Sequence, residues 1–279
     1  MTFVFNPIVE YEIKPRHPLN PGFSELWQNR ELLYMFALRD IKVKYKQTYL
    51  GIAWALLQPG LMTLLFTLGL GRIINVSTCN GLNYPAFALS GFVLWNLFAT
   101  GLSNAGNSMV SNAAIIKKIY FPRLVIPVSS FLVAFVDFTI ALCIMLPVML
   151  FLGTGPVLAA WLYMPLSILL CFLAAFGLGT FLSAANIKYR DVRYVLPFIT
   201  QALFFASPVI YPLNLNPKAW YTILIRCNPM YAPLELFRAA FGYNINTMHL
   251  WPSIACSLFF VAYGLYYFRK TEHFFADLA

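Results

Sequence analysis

Few of the side chains that carry chemistry stand where a reaction would need them. His17, His249 and His273 fall in a tail, at the edge of an apolar run and in the other tail. They share no ligand spacing with one another or with the five cysteines, so no metal site is expected. No G-x-x-x-x-G-K-[ST] phosphate loop is present. The chain therefore does not bind and split a nucleotide by that route, and any energy it uses must come from a second chain. Asp137, in FLVAFVDFTIALC, is the acid that lies well inside an apolar run. A charge held in lipid is expensive, so a functional role and pairing with an Asn, Ser or Tyr of a neighbouring helix both stay open. Glu235 and Arg238 are three positions apart, a spacing that favours an intrahelical pair over a substrate site. No nucleophile, base and metal set converges, which argues against an enzyme. Aromatic rings are what the chain has in abundance, at 17% of residues. Flat amphipathic rings can stack on sugar faces without demanding one polar pattern. Trp95, Phe98, Phe204, Phe205, Tyr211, Trp220 and Tyr231 are the candidates for lining such a path.

These residues must be positioned in lipid. A chain with 60% hydrophobic and 10% charged residues has too little polar surface for a water-soluble globule of 279 residues. Six apolar spans can be drawn, at about Leu50–Gly71, Tyr84–Asn112, Leu124–Leu152, Val157–Ala185, Val192–Tyr211 and Leu250–Phe268. Strand alternation is absent, so the reading is an all-α polytopic membrane protein. Fifteen of the nineteen Lys and Arg residues occupy alternate gaps: residues 14–46, the 117–123 loop, the 188–193 loop and 269–270. That positive-inside bias places both termini in the cytoplasm. The N-terminus lacks the charged, apolar and small-residue pattern of a cleaved signal. Eight acids accompany those fifteen cations, which suits anionic headgroups or a protein partner and not a nucleic acid. Cys143, Cys171 and Cys256 sit in apolar runs as small buried hydrophobes, while Cys79 and Cys227 fall on the outer side, where a disulfide could form.

Two segments depart from plain spans. Residues 24–46, with Ser24 as N-cap, place Trp27, Tyr34, Leu38, Ile41 and Tyr45 on one helix face beside a strip of Arg39, Lys42 and Lys46. That is the pattern of a helix lying in the cytoplasmic interface. Residues 212–247 hold two short helical stretches, Lys218–Arg226 and Tyr231–Phe241, around Cys227, Asn228 and Pro229. Neither can span, so they read as a re-entrant pair. In the second span, Asn104, Asn107, Ser108 and Ser111 share one face, extended by Ser103 and Asn112. Such a face meets either another helix or a wet conduit.

Four ordered blocks then resemble a known family: RELLYMFALRDIKVKYKQTYLGIAWALLQP at 30–59, NAAIIKKIYFPRLVIP at 112–127, NIKYRDVRYVLPF at 186–198 and SPVIYPLNLNPKAW at 207–220. Together they resemble the permease subunit of ABC transporters that export polysaccharides, nearest to the O-antigen permeases, with capsule and teichoic-acid permeases as relatives. The resemblance implies a type 2 ABC permease fold: a tail at 1–23, an interface helix at 24–46, six transmembrane helices over 50–268 with re-entrant gate helices at 217–242, and a tail at 269–279. It implies a homodimer around a channel and two copies of a separate nucleotide-binding ATPase, which would hold the ATP and magnesium. The expected cargo is a polyprenyl-pyrophosphate-linked glycan moving outward. By resemblance, Arg39, Lys42, Ile115, Lys117, Lys118, Tyr120 and Arg123 are ATPase-coupling candidates. Lys188, Tyr189, Arg190, Asp191 and Arg193 form a second cytoplasmic element, and Glu235 and Arg238 belong to the outer gate. A drug or lipid permease of the same fold, and less so a secondary carrier, are the alternatives.

Overall fold

Helices account for most of the described residues in a computed structural model, which describes residues 23–46, 53–71, 78–79, 81–119, 121–212, 220–272 and 275. In chain order these are α1 (Phe23–Gln28), α2 (Arg30–Lys46), α3 (Ala53–Phe66, continued by a π turn over Thr67–Gly71), α4 (Tyr84–Ser111), α5 (Ala113–Ile116) and α6 (Val125–Phe151). They continue with α7 (Ala160–Lys188), α8 (Val192–Ala206), α9 (Trp220–Arg226), α10 (Tyr231–Ala239) and α11 (Trp251–Thr271), the last preceded by a 3-10 turn at Thr247–His249. A two-residue antiparallel pair, Thr78–Cys79 against Leu82–Asn83, leads into α4.

Among the described residues, four helices are long and apolar enough to cross a membrane: α4, α6, α7 and α11 with its preceding turn. They match four of the six expected spans to within a few residues. The other two are shorter. The fifth expected span, Val192–Tyr211, stops at Ala206 because Pro208 follows Ser207, whose ψ of 144° is already extended. The first is helical over 53–71, with Pro59 inside it, and Thr63 Oγ1 donates to the Pro59 carbonyl. Membrane helices tolerate an internal proline by local adjustment. Gly153, at φ +76°, ends α6, and Thr154 N reaches back to Met149 O at 3.0 Å, so the last carbonyls are satisfied.

The layers follow from where small residues fall. In α4 and α7, 78% and 72% of the apolar window is buried inside the chain, against 39% in α6 and 28% in α11. α7 is therefore the hub, flanked by α4 on one side and α11 on the other. It can pack both ways because Gly177 lies against the α11 backbone, where an added Cβ would stand 2.5 Å from Val261 N. Gly264 of α11 faces the Gly177 carbonyl in return, and Gly179 meets Ala105 of α4. Close backbone approach through small residues is how helices associate where apolar burial gives no preference for protein over lipid.

Two expectations about local structure change. Ser24 lies inside α1 and is not a cap, and the helix breaks at Asn29, whose amide nitrogens bond Glu25 O. The expected apolar face of the N-terminal helix also shifts. Trp27 and Tyr34 are exposed, and the buried pair is Phe36 and Ala37, with Leu32 and Leu33 packed beside them.

Gly177→Leu is expected to lower the thermal midpoint of the detergent-purified protein by at least several degrees, since overpacking costs about 1–3 kcal/mol. Gly60→Ala, with nothing within 4 Å of the added carbon, leaves the midpoint equal or higher. Equal midpoints for both variants in a differential scanning measurement would remove α7 as the hub.

Candidate functional site

The exposed side of α4 forms one wall of a cavity of about 520 Å³ closed by α3 and α8. Proximity of rings builds it. Phe66 and Phe92 have centroids 5.4 Å apart, Phe92 stacks on Phe204 at 6.0 Å, Trp95 meets Phe204 edge-on at 5.4 Å, and Phe205 stands perpendicular to Phe204 at 5.3 Å. Gln58, Asn96, Ser103, Thr200 and Gln201 set amides and hydroxyls among them. Aromatic faces with a few amides can hold apolar C–H surface and hydroxyls at once.

Three of the seven expected path residues, Trp95, Phe204 and Phe205, line this cavity. Two do not: Phe98 is fully buried in the core against Trp95, and Tyr231 is packed with Leu170 and Leu250. Their i+3 and short-helix positions turn them inward. Tyr211 lies beyond the end of α8, where its hydroxyl donates to Phe205 O at 2.9 Å. The side chain of Trp220 falls outside the described residues.

Ser103 also belongs to a second cavity, of about 650 Å³, between α2, α4 and α6. The polar face of α4 serves both roles left open above. Ser108 meets Ser183 of α7, and Asn186 donates to Gly106 O at 3.0 Å and Asn107 Oδ1 at 3.2 Å. Ser103, Asn104, Asn107 and Ser111 also face the cavity. Asp137 of α6 pairs with neither Asn nor Ser but with Lys44 and Tyr45, both from α2. Burial, and then the carboxylate beside it, pushes the Tyr45 phenol well above its ordinary range.

The N-terminal helices, the loop before α6 and the end of α11 are bound into one block. Arg39 donates to Asn112 Oδ1 at 2.7 Å, pairs with Asp40 and lies 4.8 Å over the Phe36 ring, which in turn meets Phe121 at 5.6 Å. Arg123, the residue that opens toward α6, donates to Glu272 O and stacks over Phe275 at 5.6 Å. Phe275 is fully buried against Phe268, and Arg269 joins Glu272 at 2.8 Å to Glu25 at 3.7 Å. Of the coupling candidates, Lys42, Lys117 and Lys118 are exposed, Ile115 is half-buried, and Tyr120 falls outside the described residues. Sequence reasoning missed Glu272 and Phe275, which lie about 150 positions from Arg123 and carry no local motif. Lys188, Tyr189, Arg190, Asp191 and Arg193 are all exposed in and after the turn from α7 to α8.

On the far side, the expected Glu235 and Arg238 pair is replaced by a different arrangement. Arg238 is fully buried and donates to three carbonyls: Phe87 O at 3.3 Å, Pro208 O at 2.6 Å and Val209 O at 2.6 Å. Its guanidinium lies 3.5 Å over the Phe87 ring, in space left by Gly91. Two of those carbonyls, Pro208 O and Val209 O, lie in the non-helical stretch that follows α8, so the cation is drawn to them. Glu235 is buried too, and its Oε1 has no hydrogen-bond partner. Cys227 is a free thiol.

Comparison with known proteins agrees with this architecture. The ABC-2 type transporter family matches residues 31–242. The O-antigen export system permease RfbA of Myxococcus xanthus is 28% identical over 218 residues, covering 78% of this chain and 82% of its own. A Klebsiella pneumoniae RfbA is 26% identical over 250 residues, 89% and 95% of the two chains. The Escherichia coli polysialic acid transport protein KpsM is 25% identical over 207 residues, 73% and 78%. With most of its length matched and its long apolar helices accounted for, the chain belongs to the ABC-2 type transporter family.

Proposed function

We propose that this chain is the non-catalytic, membrane-spanning subunit of an exporter that carries a lipid-linked polysaccharide, of O-antigen type, out through the inner membrane. The observation that carries the reading is the ring-walled cavity with its amide rim, which shares the lining residue Ser103 with the polar cavity beside α2. A polymer longer than the bilayer cannot be enclosed in one pocket. It needs a continuous wall that grips weakly at many points, which rings provide. In this reading a separate ATPase, two copies of which hold the ATP and magnesium, drives a homodimer whose halves face each other across α3 and α8. The exposed apolar side chains of those two helices, among them Leu61, Leu65, Phe198 and Phe205, suit a partner copy or lipid.

Six crossings then follow. The helix over 53–71 spans about 28 Å at 1.5 Å per residue, close to the hydrocarbon thickness. The fifteen residues of α8 reach only about 22 Å. The buried stretch Ser207–Ile210 completes that crossing, as non-helical backbone at depth must be covered by protein. α9 and α10 are the outer gate helices, with Arg238 and Glu235 in their midst. Lys42, Lys117 and Lys118 face the ATPase, and both termini stay inside by the excess of cations there.

Trp95→Ala with Phe204→Ala is expected to lower surface glycan about fivefold to tenfold, since a well-placed ring contributes on the order of 1 kcal/mol. The check is surface polymer measured in cells while the ATPase still copurifies in the same ratio. Undiminished export would take the path elsewhere. For the cytoplasmic block, Phe275→Ala with Arg123→Ala is expected to reduce glycan exported per ATP hydrolysed in proteoliposomes, with Arg123→Lys keeping more of that ratio than Arg123→Ala. An unchanged ratio in the double variant would mean that the tail does not position the loop.

A further inference from the structure

The cavity between α3, α4 and α8 is polar without being charged. Its polar groups are Gln58, Asn96, Ser103, Thr200 and Gln201, and no ionisable side chain among the described residues lines it. Amides and hydroxyls both donate and accept, which matches sugar hydroxyls, themselves donors and acceptors. A carboxylate or phosphate only accepts, and where proteins carry such groups they answer with Arg or Lys.

The cations of the adjoining cavity do not change this. Arg39 and Lys44 reach it, but Arg39 is joined to Asp40 at 2.7 Å and Lys44 to Asp137. Each positive charge there is already answered by a carboxylate. An anion moved between aromatic walls would lose water and gain no counter-charge, a penalty that grows with the number of charged repeats.

Resting on the export reading above, we propose that this site selects an uncharged glycan and rejects a polymer that carries a carboxylate or phosphate in every repeat. A terminal pyrophosphate head is a single anion per chain and is met at the membrane boundary, whereas a polyanion presents its charge at each step through the rings. Gln201, exposed in the single chain and set beside Phe204 and Phe205, is the residue that sets the choice.

The test uses the whole transporter, with its ATPase subunit, in cells that lack their own exporter. The cells make one of two polymers on the same polyprenyl pyrophosphate: an uncharged mannose homopolymer, or a polymer of similar length with a uronic acid in each repeat. Surface polymer is measured against polymer retained inside. The expected result is at least about tenfold more export of the uncharged polymer, and a shift of that ratio toward the acidic one by Gln201→Lys. Equal export of both polymers, or a ratio that Gln201→Lys leaves unmoved, overturns the selection while leaving polysaccharide export standing. Export of neither polymer overturns the export reading and the selection with it.

Discussion

The contact of α7 with the backbone of α11 is the constraint on which the other placements rest. Two helices meet at Gly177 and Gly264 so closely that no side chain fits between them. In water, apolar burial alone would draw such helices together, but in lipid a leucine gains little by leaving one apolar neighbour for another. What remains is dispersion between surfaces that fit, and fit is greatest where backbones touch. With α11 fixed on one face of α7, α4 occupies the other through Ala105 and Gly179. α6 and α10 then pack on that three-helix frame.

The frame decides what is left over. α4 is buried along one side, so its remaining side must supply both cavities, and Ser103 stands where they meet. α8 cannot continue past Ala206, because Pro208 removes a donor and forces the preceding residue out of helical geometry. That break leaves carbonyls at depth with no intrahelical donor. Arg238 answers three carbonyls in all, two of them at the break, which explains why a fully buried cation is tolerated there. The same residue therefore ties α10 to α4 and to the end of α8. A gate built on it would move as one piece with that end and not as a loose loop.

Local signals were legible in the sequence and distant ones were not. Run lengths located α4, α6, α7 and α11 within a few residues, because twenty apolar residues in a row have one physical use. The polar face of α4 was visible at i, i+3, i+4 and i+7. The aromatic cavity was half visible: ring type marked Trp95, Phe204 and Phe205, but nothing local distinguishes them from Phe98, which the same helix turns into the core. Of the expected partner types for Asp137 a tyrosine, Tyr45, is present, but Lys44 was not foreseen because it is 93 positions away, on a helix expected to lie at the surface. The strip of α2 that packs inward carries no local signal either: Phe36 and Ala37 are buried because Phe121 lies opposite. Glu235 and Arg238 look like a pair at i, i+3, until the carbonyls freed by a proline thirty positions earlier compete for the guanidinium.

Work done on the cytoplasmic side can be passed inward only through parts that do not yield. Exposed ion pairs are poor transmitters, since water screens them and long side chains rearrange. Here the elements next to the exposed Lys117 and Lys118 are joined in a different way. Phe36, Phe121, Phe268 and Phe275 form an apolar centre to which α2, the loop before α6, the end of α11 and the tail each contribute one ring. Arg39 and Arg123 cover it, each stacked on a ring and bonded to a neutral amide or carbonyl oxygen. Close-packed interiors transmit displacement with little loss. From this block α2 runs on to Asp137 of α6, which it holds through Lys44 and Tyr45. The acid that first resembled a lone site in lipid is tied to the packed block and does not stand alone.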